Sequence, residues 1–112
     1  MKIYLNSPKE NWIVDRIKDE WAQYNHKYNS KKPKTADIFW IISPWTWQKI
    51  KRKDLENKKI VCSIYHIDED KLDKAQLSEF QKRDVYVDFY HVISEKTKEQ
   101  IRLLTDKPIQ SI

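Results

Sequence analysis

The chain has 112 residues, enough for one packed core but not for two. Apolar residues make up 39% and charged residues 35%, so it is globular with a heavily solvated surface. No run approaches the roughly 18 apolar residues of a membrane span, and Met1–Leu5 is too short an apolar run for a signal peptide. The net charge is +5, and glycine is absent altogether, which excludes the Gly-rich phosphate loops. One cysteine, Cys62, excludes an internal disulfide and fits a reducing compartment, so a cytoplasmic location is expected.

Lys2 to Leu5 predicts a short first strand. Ser7-Pro8-Lys9-Glu10 then combines a serine N-cap, a proline at the first helical position and a glutamate three after the cap. The helix it starts runs to about Tyr24, with Ile13, Ile17, Trp21 and Tyr24 on one stripe. Asn25 to Thr35 is a polar loop.

Asp37 to Ile42 predicts a second strand, ending on Ser43-Pro44, again a serine cap followed by proline. A short basic helix is expected over Trp45–Lys53. Ile60 to Tyr65 is a β-favouring run without alternation, which suits a strand covered on both faces. It stops on His66 and Asp68.

A helix from about Lys71 to Arg83 follows, with Leu72, Ala75 or Gln76, and Phe80 turned inward. The fourth strand has its core at Phe89–Ile93, and Ser94 caps a helix over Glu95–Leu104. Pro108 to Ile112 opens a fifth strand. Strands alternating with helices predict a single α/β, Rossmann-like domain of about five parallel strands with helices on both faces.

In open α/β sheets, ligands bind beyond the carboxyl ends of the strands. Ser7, Ser43 and Ser94 each end a strand and cap the next helix, so three positive helix ends point to the edge that carries His66 and Asp68. That edge suits an anion or a hydroxylated ligand, although serine at an N-cap is also ordinary helix chemistry. Trp45 and Trp47 cannot share a buried helix face, and Trp45 is the candidate for stacking on a sugar ring there. Trp21 and Trp40 fit the core.

Cys62 and His66 lie roughly 13 Å apart along a strand, too far to share one zinc, and no metal or other cofactor is expected. Cys62 reads as an inert core thiol, His26 as a surface residue and His91 as half-buried. The basic segments 26–35 and 53–59 return helices to strands and therefore sit at the opposite, amino-terminal edge. They read first as a solvated face and second as a contact for an anionic membrane. The aromatic–basic pattern of single-strand nucleic-acid readers is missing, so no nucleic-acid partner is expected.

Taken together, Ala36–Pro44, Lys58–Asp68, Tyr86–Asp88 and Val92–Lys98 resemble the N-terminal, acceptor-side domain of GT-B glycosyltransferases of the retaining group-1, family-4-like type. That family has an Asp-led apolar strand, a strand ending in His-x-Asp, a serine at a strand-to-helix junction, and a Lys-Pro-led strand like Lys107–Ile112. The resemblance implies that His66 lies near the transferred sugar or acceptor. It also implies that Ser94 and Glu95 border an interdomain cleft.

It departs from the family in the first strand-to-helix loop, where Asn6-Ser7-Pro8 stands in place of glycines. The nucleotide-sugar domain of the family lies outside these residues. The expected function is thus the acceptor-binding half of a glycosyltransferase, inactive alone, with a sugar or glycan acceptor and a donor held by a second domain. The alternative is a non-catalytic flavodoxin- or receiver-like interaction domain, although Asn6 and Ser7 supply no acidic cluster of the receiver kind.

Overall fold

The computed structural model describes residues 1–6, 13–42, 44–67 and 72–111, without the side chains of residues 13–15, 44, 45 and 48. Within them, strands β1 (Ile3–Asn6), β2 (Ile38–Ile41), β3 (Lys59–Ile64), β4 (Phe89–Val92) and β5 (Ile109–Ser111) form one sheet in the order β1-β2-β3-β4-β5. Every neighbouring pair is parallel. Each strand matches its expected position to within a residue or two. Three α-helices accompany them, α1 (Ile13–Tyr24), α2 (Lys74–Asp84) and α3 (Glu95–Arg102).

Helices lie on both faces, but unequally. Phe39 and Ile41 on β2, Ile60, Cys62 and Ile64 on β3, and Tyr90 and Val92 on β4 alternate onto one face. They form a single cluster there with Phe80 of α2 and Ile101 of α3. The opposite face holds a small cluster of Leu5 and Ile42, covered by Trp21 of α1 and by Trp40. α1 therefore packs on the face away from α2 and α3.

Single-handed crossovers place helices on opposite faces only when the chain moves in opposite directions across the sheet. The chain does so. After α1 it passes outside β1, where Asn29 makes a parallel bridge to Ile3, with Ile3 N donating to Tyr28 O and Ser30 N to Ile3 O. It then turns round the amino end of β1 into β2, where Asp37 N donates to Lys2 O. The sheet is doubly wound, and its direction reverses between β1 and β2.

The connection from β2 to β3 departs from expectation. Instead of one basic helix over 45–53 it forms two 3-10 helices, Pro44–Lys49 and Arg52–Leu55. They press Trp47, Ile50 and Leu55 into the large cluster. The Arg52 guanidinium lies 3.9 Å from the centre of the Trp47 ring and also faces Tyr86. A tight 3-10 path returns these three anchors to the sheet within a short span, where a longer α-helix would carry some of them off it.

The expected stripe of α1 also reads differently. Ile17 and Tyr24 are exposed, while Trp21 is half-buried. Among the described side chains of α1, Trp21 docks the helix on the Leu5 and Ile42 cluster. α2 starts at Lys74, later than the expected Lys71, after an N-cap Asp73 whose side chain accepts from Gln76 N. Its end is tied down by Asp84, which accepts from the hydroxyls of Tyr90 and Thr105. Burial and that carboxylate push the Tyr90 hydroxyl far above its ordinary pKa, so it acts as a fixed donor.

Trp21 and Trp40 are both half-buried, and among the described tryptophan side chains the deeply buried one is Trp47, 3% exposed. Trp47→Ala should therefore cost about 3–5 kcal/mol, as for other large-to-small changes in a core. Trp21→Ala should cost about 1–2 kcal/mol, in line with partial burial. Denaturant melts of the two variants check the ranking, and a larger loss for Trp21 would contradict this account of the core.

Candidate functional site at the carboxyl edge

The carboxyl edge is built from the residues that follow each strand. β1 ends on Asn6, whose Nδ2 donates to Thr46 Oγ1 at 2.8 Å. Thr46 is buried in the first 3-10 helix after β2. This link crosses the point where the winding reverses, the crevice in which doubly wound sheets bind ligands. Ser7 and Ser43, expected on either side of it, lie outside the described residues. Trp45 lies in the same 3-10 helix as Thr46, and its side chain is outside the description.

β3 ends at Ile64, and the chain continues without regular structure through Tyr65, His66 and Ile67. Ile64 and Ile67 both pack into the large cluster, and between them His66 is exposed. Two apolar anchors thus hold an accessible imidazole at the end of the central strand. Asp68 lies outside the described residues.

Ile64 of β3 pairs with Val92 of β4. His66 and Ser94 therefore stand two residues beyond the same register pair, on adjacent strands. Ser94 caps α3: its Oγ accepts from Thr97 N at 3.1 Å and donates to Thr97 Oγ1 at 2.9 Å. Glu95, in the first turn of α3, accepts from Ser111 Oγ of β5 at 3.0 Å. The capping role of Ser94 is established, and the carboxylate of Glu95 ties the helix start to the edge strand.

The structure thus groups the expected residues in two places. His66, Ser94 and Glu95 follow β3 and β4, while Asn6 and Thr46 mark the reversal between β1 and β2. Asn6 and Thr46 were not singled out from sequence. The available signal was an amide side chain ending an apolar strand.

A second polar cluster lies on the α1 side of the sheet. Trp40 Nε1 donates to Ser63 Oγ at 2.8 Å, and Ser63 Oγ lies 2.9 Å from His91 Nδ1. The rings of Trp21, Trp40 and His91 follow one another edge to face, at 6.1 and 6.2 Å between centres. Trp40 and His91 thus reach over Ser63 from β2 and β4.

Ser63 and His91 have the spacing of a nucleophile and its base, but Ser63 is 0% exposed. No substrate reaches its hydroxyl, and the cluster is structural. Trp40, expected in the core, is half-buried, His91 is half-buried as expected, and Ser63 carries no signal in the sequence. Only the β3–β4 register places Ser63 against His91.

Cys62 is fully buried, and burial pushes its thiol up to about 11 despite the nearby Arg83 guanidinium. It is unreactive at neutral pH. Among the described residues no group of three metal-ligating side chains converges, and no helix is long and apolar enough to cross a membrane. Comparisons of the chain with protein-family models, with curated proteins and with solved structures find no match. The site is therefore read from its own geometry.

Burial lowers the His91 pKa from its ordinary 6.5. The folded state then binds fewer protons than the unfolded chain as this group titrates. The stabilisation is fully present above pH 6.5 and is lost as pH falls through the lower folded value. Protonated Nδ1 would also turn a donor toward Ser63 and displace the serine proton from it. Between pH 7.5 and 5.5, wild type should lose more thermal stability than His91→Gln, and equal losses would remove His91 from the acid response.

Proposed function

We propose that the chain is the acceptor-binding half of a glycosyltransferase, which moves a sugar from a nucleotide-sugar donor to a glycan or lipid-linked acceptor. The observation that carries this reading is the placement of exposed His66 and the capping Ser94 just beyond the ends of adjacent parallel strands. An imidazole there donates to a sugar hydroxyl or a leaving phosphate oxygen. The N-terminus of α3 beside it favours negative charge. Such contacts accelerate transfer when they strengthen as charge develops on the leaving group.

In this reading the donor nucleotide belongs to a second domain, so residues 1–112 hold the acceptor and are inactive alone. His66 is the catalytic candidate. Ser94 and Glu95 border the acceptor, and Asn6 and Thr46 line the crevice where the winding reverses. A non-catalytic interaction domain is the second reading, favoured by the sparse cover on the β4 side of the α1 face, where Ile93 is exposed.

Amide chemical-shift mapping of the 112-residue chain separates the two. Mono- and disaccharides at millimolar concentration should shift the amides of Asn6, Thr46, His66, Ser94 and Glu95, while nucleotide-sugars should show no measurable affinity. His66→Ala should abolish the saccharide shifts at the end of β3 and leave the melting temperature unchanged, because His66 is exposed. Micromolar binding of a nucleotide-sugar, or saccharide titrations that leave this edge unmoved, would overturn the acceptor-half reading.

A further inference from the structure

The edge opposite the candidate site carries features that neither the fold nor that site uses. Parallel topology returns every helix to the amino-terminal rim, and each of the three α-helices ends there on an exposed apolar side chain. Tyr24 is the last residue of α1 and is 80% exposed. Val85 follows α2 as its C-cap at 75%, and Leu103 follows α3 in the same way at 87%. Met1, Tyr28 and Tyr86 add to the same rim. Of the eight most exposed large apolar residues described, only Ile17 and Ile93 lie elsewhere.

Single exposed apolar residues are ordinary. Their gathering on one rim, while most other described large apolar side chains are buried or half-buried, marks an interaction surface.

The charge is gathered on the same rim. Segment 26–35 has four lysines and no acid, and segment 53–59 has three cations against two acids. These two segments together hold +5, the whole net charge of the chain. The fold merges the two, because the 3-10 turn Pro33–Thr35 packs against Arg52–Leu55. Between them opens a cleft of about 340 Å³ lined by Lys34, Lys53 and Lys58 together with Asp54, Glu56 and Asn57.

Cations interspersed with protruding aliphatic and tyrosine side chains are the composition of a surface that rests on an anionic bilayer. The lysines meet the lipid phosphates, and the apolar tips enter the boundary with the acyl chains. The apolar tips come from helices on both faces of the sheet, so a surface that meets them all must extend across the rim. Single-strand nucleic-acid readers instead track the backbone along a groove and stack bases on aromatics.

From this we infer that the amino-terminal rim is a peripheral docking surface for an anionic lipid membrane, anchored by Val85 and Leu103 and attracted through Lys31, Lys32 and Lys34. The inference does not rest on the acceptor-half reading, because the two use opposite edges of the sheet.

Flotation of the chain with vesicles tests it. The chain should float with vesicles of phosphatidylcholine and phosphatidylserine and not with phosphatidylcholine alone, and added salt should weaken the association. Val85→Asp with Leu103→Asp should reduce binding roughly tenfold or more. Lys31→Glu with Lys32→Glu and Lys34→Glu should do the same. All five side chains are exposed, so both variants should keep the wild-type circular dichroism melt.

Three results would each overturn the proposal: no flotation with anionic vesicles, full binding by the Val85/Leu103 variant, or displacement from vesicles by a single-stranded oligonucleotide at equal phosphate concentration.

Discussion

All neighbouring strands of this sheet run parallel, and that single constraint divides the molecule. A parallel strand cannot be reached by a hairpin, so each must be re-entered from the same rim after a crossover. Strand ends then collect on one edge, and helix ends with their return loops collect on the other. β3 holds the arrangement together. It has a hydrogen-bonded neighbour on each side and is buried on both faces from Ile60 to Ile64. The large cluster packs against its Ile60, Cys62 and Ile64, while the Trp40–Ser63–His91 chain closes the other face.

That closure explains a polar residue at the centre of an apolar strand. An unsatisfied buried hydroxyl costs about 1–3 kcal/mol, so Ser63 requires partners. It finds a donor on β2 and an imidazole on β4, which links three adjacent strands through side chains as well as through their ladders. A fully satisfied buried network of this kind specifies register, because a shift of one residue would leave Ser63 facing the apolar cluster.

The elements were legible because their signals are local. Apolar runs located all five strands, and Ser94 announced the start of α3. What depends on contacts between elements was not legible. The amphipathic stripe of α1 suggested that Ile17 and Tyr24 are inward, yet the helix covers too little of the sheet to bury them. The 45–53 segment reads as helical by composition, and the short distance between β2 and β3 tightens it into 3-10 turns. The reversal of winding hangs on one bridge at Asn29, inside a segment whose polar composition signals only a loop. At the candidate site, His66 and Ser94 were visible as strand-terminal polar residues. Asn6 and Thr46 were not, since forty residues separate the two ends of their hydrogen bond.

The charge of the amino-terminal rim has two sources, and they separate cleanly. Helix C-termini carry partial negative charge, which nearby cations offset. Lys82 in the last turn of α2 and Arg102 in that of α3 serve this end, while Arg83 is buried over the Phe80 ring. α1 has no basic residue in its last turn, and Lys31, Lys32 and Lys34 follow it by seven residues or more, beyond the reach of its dipole. Lys32 precedes and Lys34 lies within the short 3-10 turn Pro33–Thr35, and none of the three follows an α-helix closely enough to cap it. They lie beside a second basic segment, and the like charges repel wherever no anion lies between them. A fold that brings such segments together gives up some stability, and an anionic surface against that rim would restore it. With the rim so occupied, His66 and Ser94 would face away from the surface and stay open to a ligand from solution.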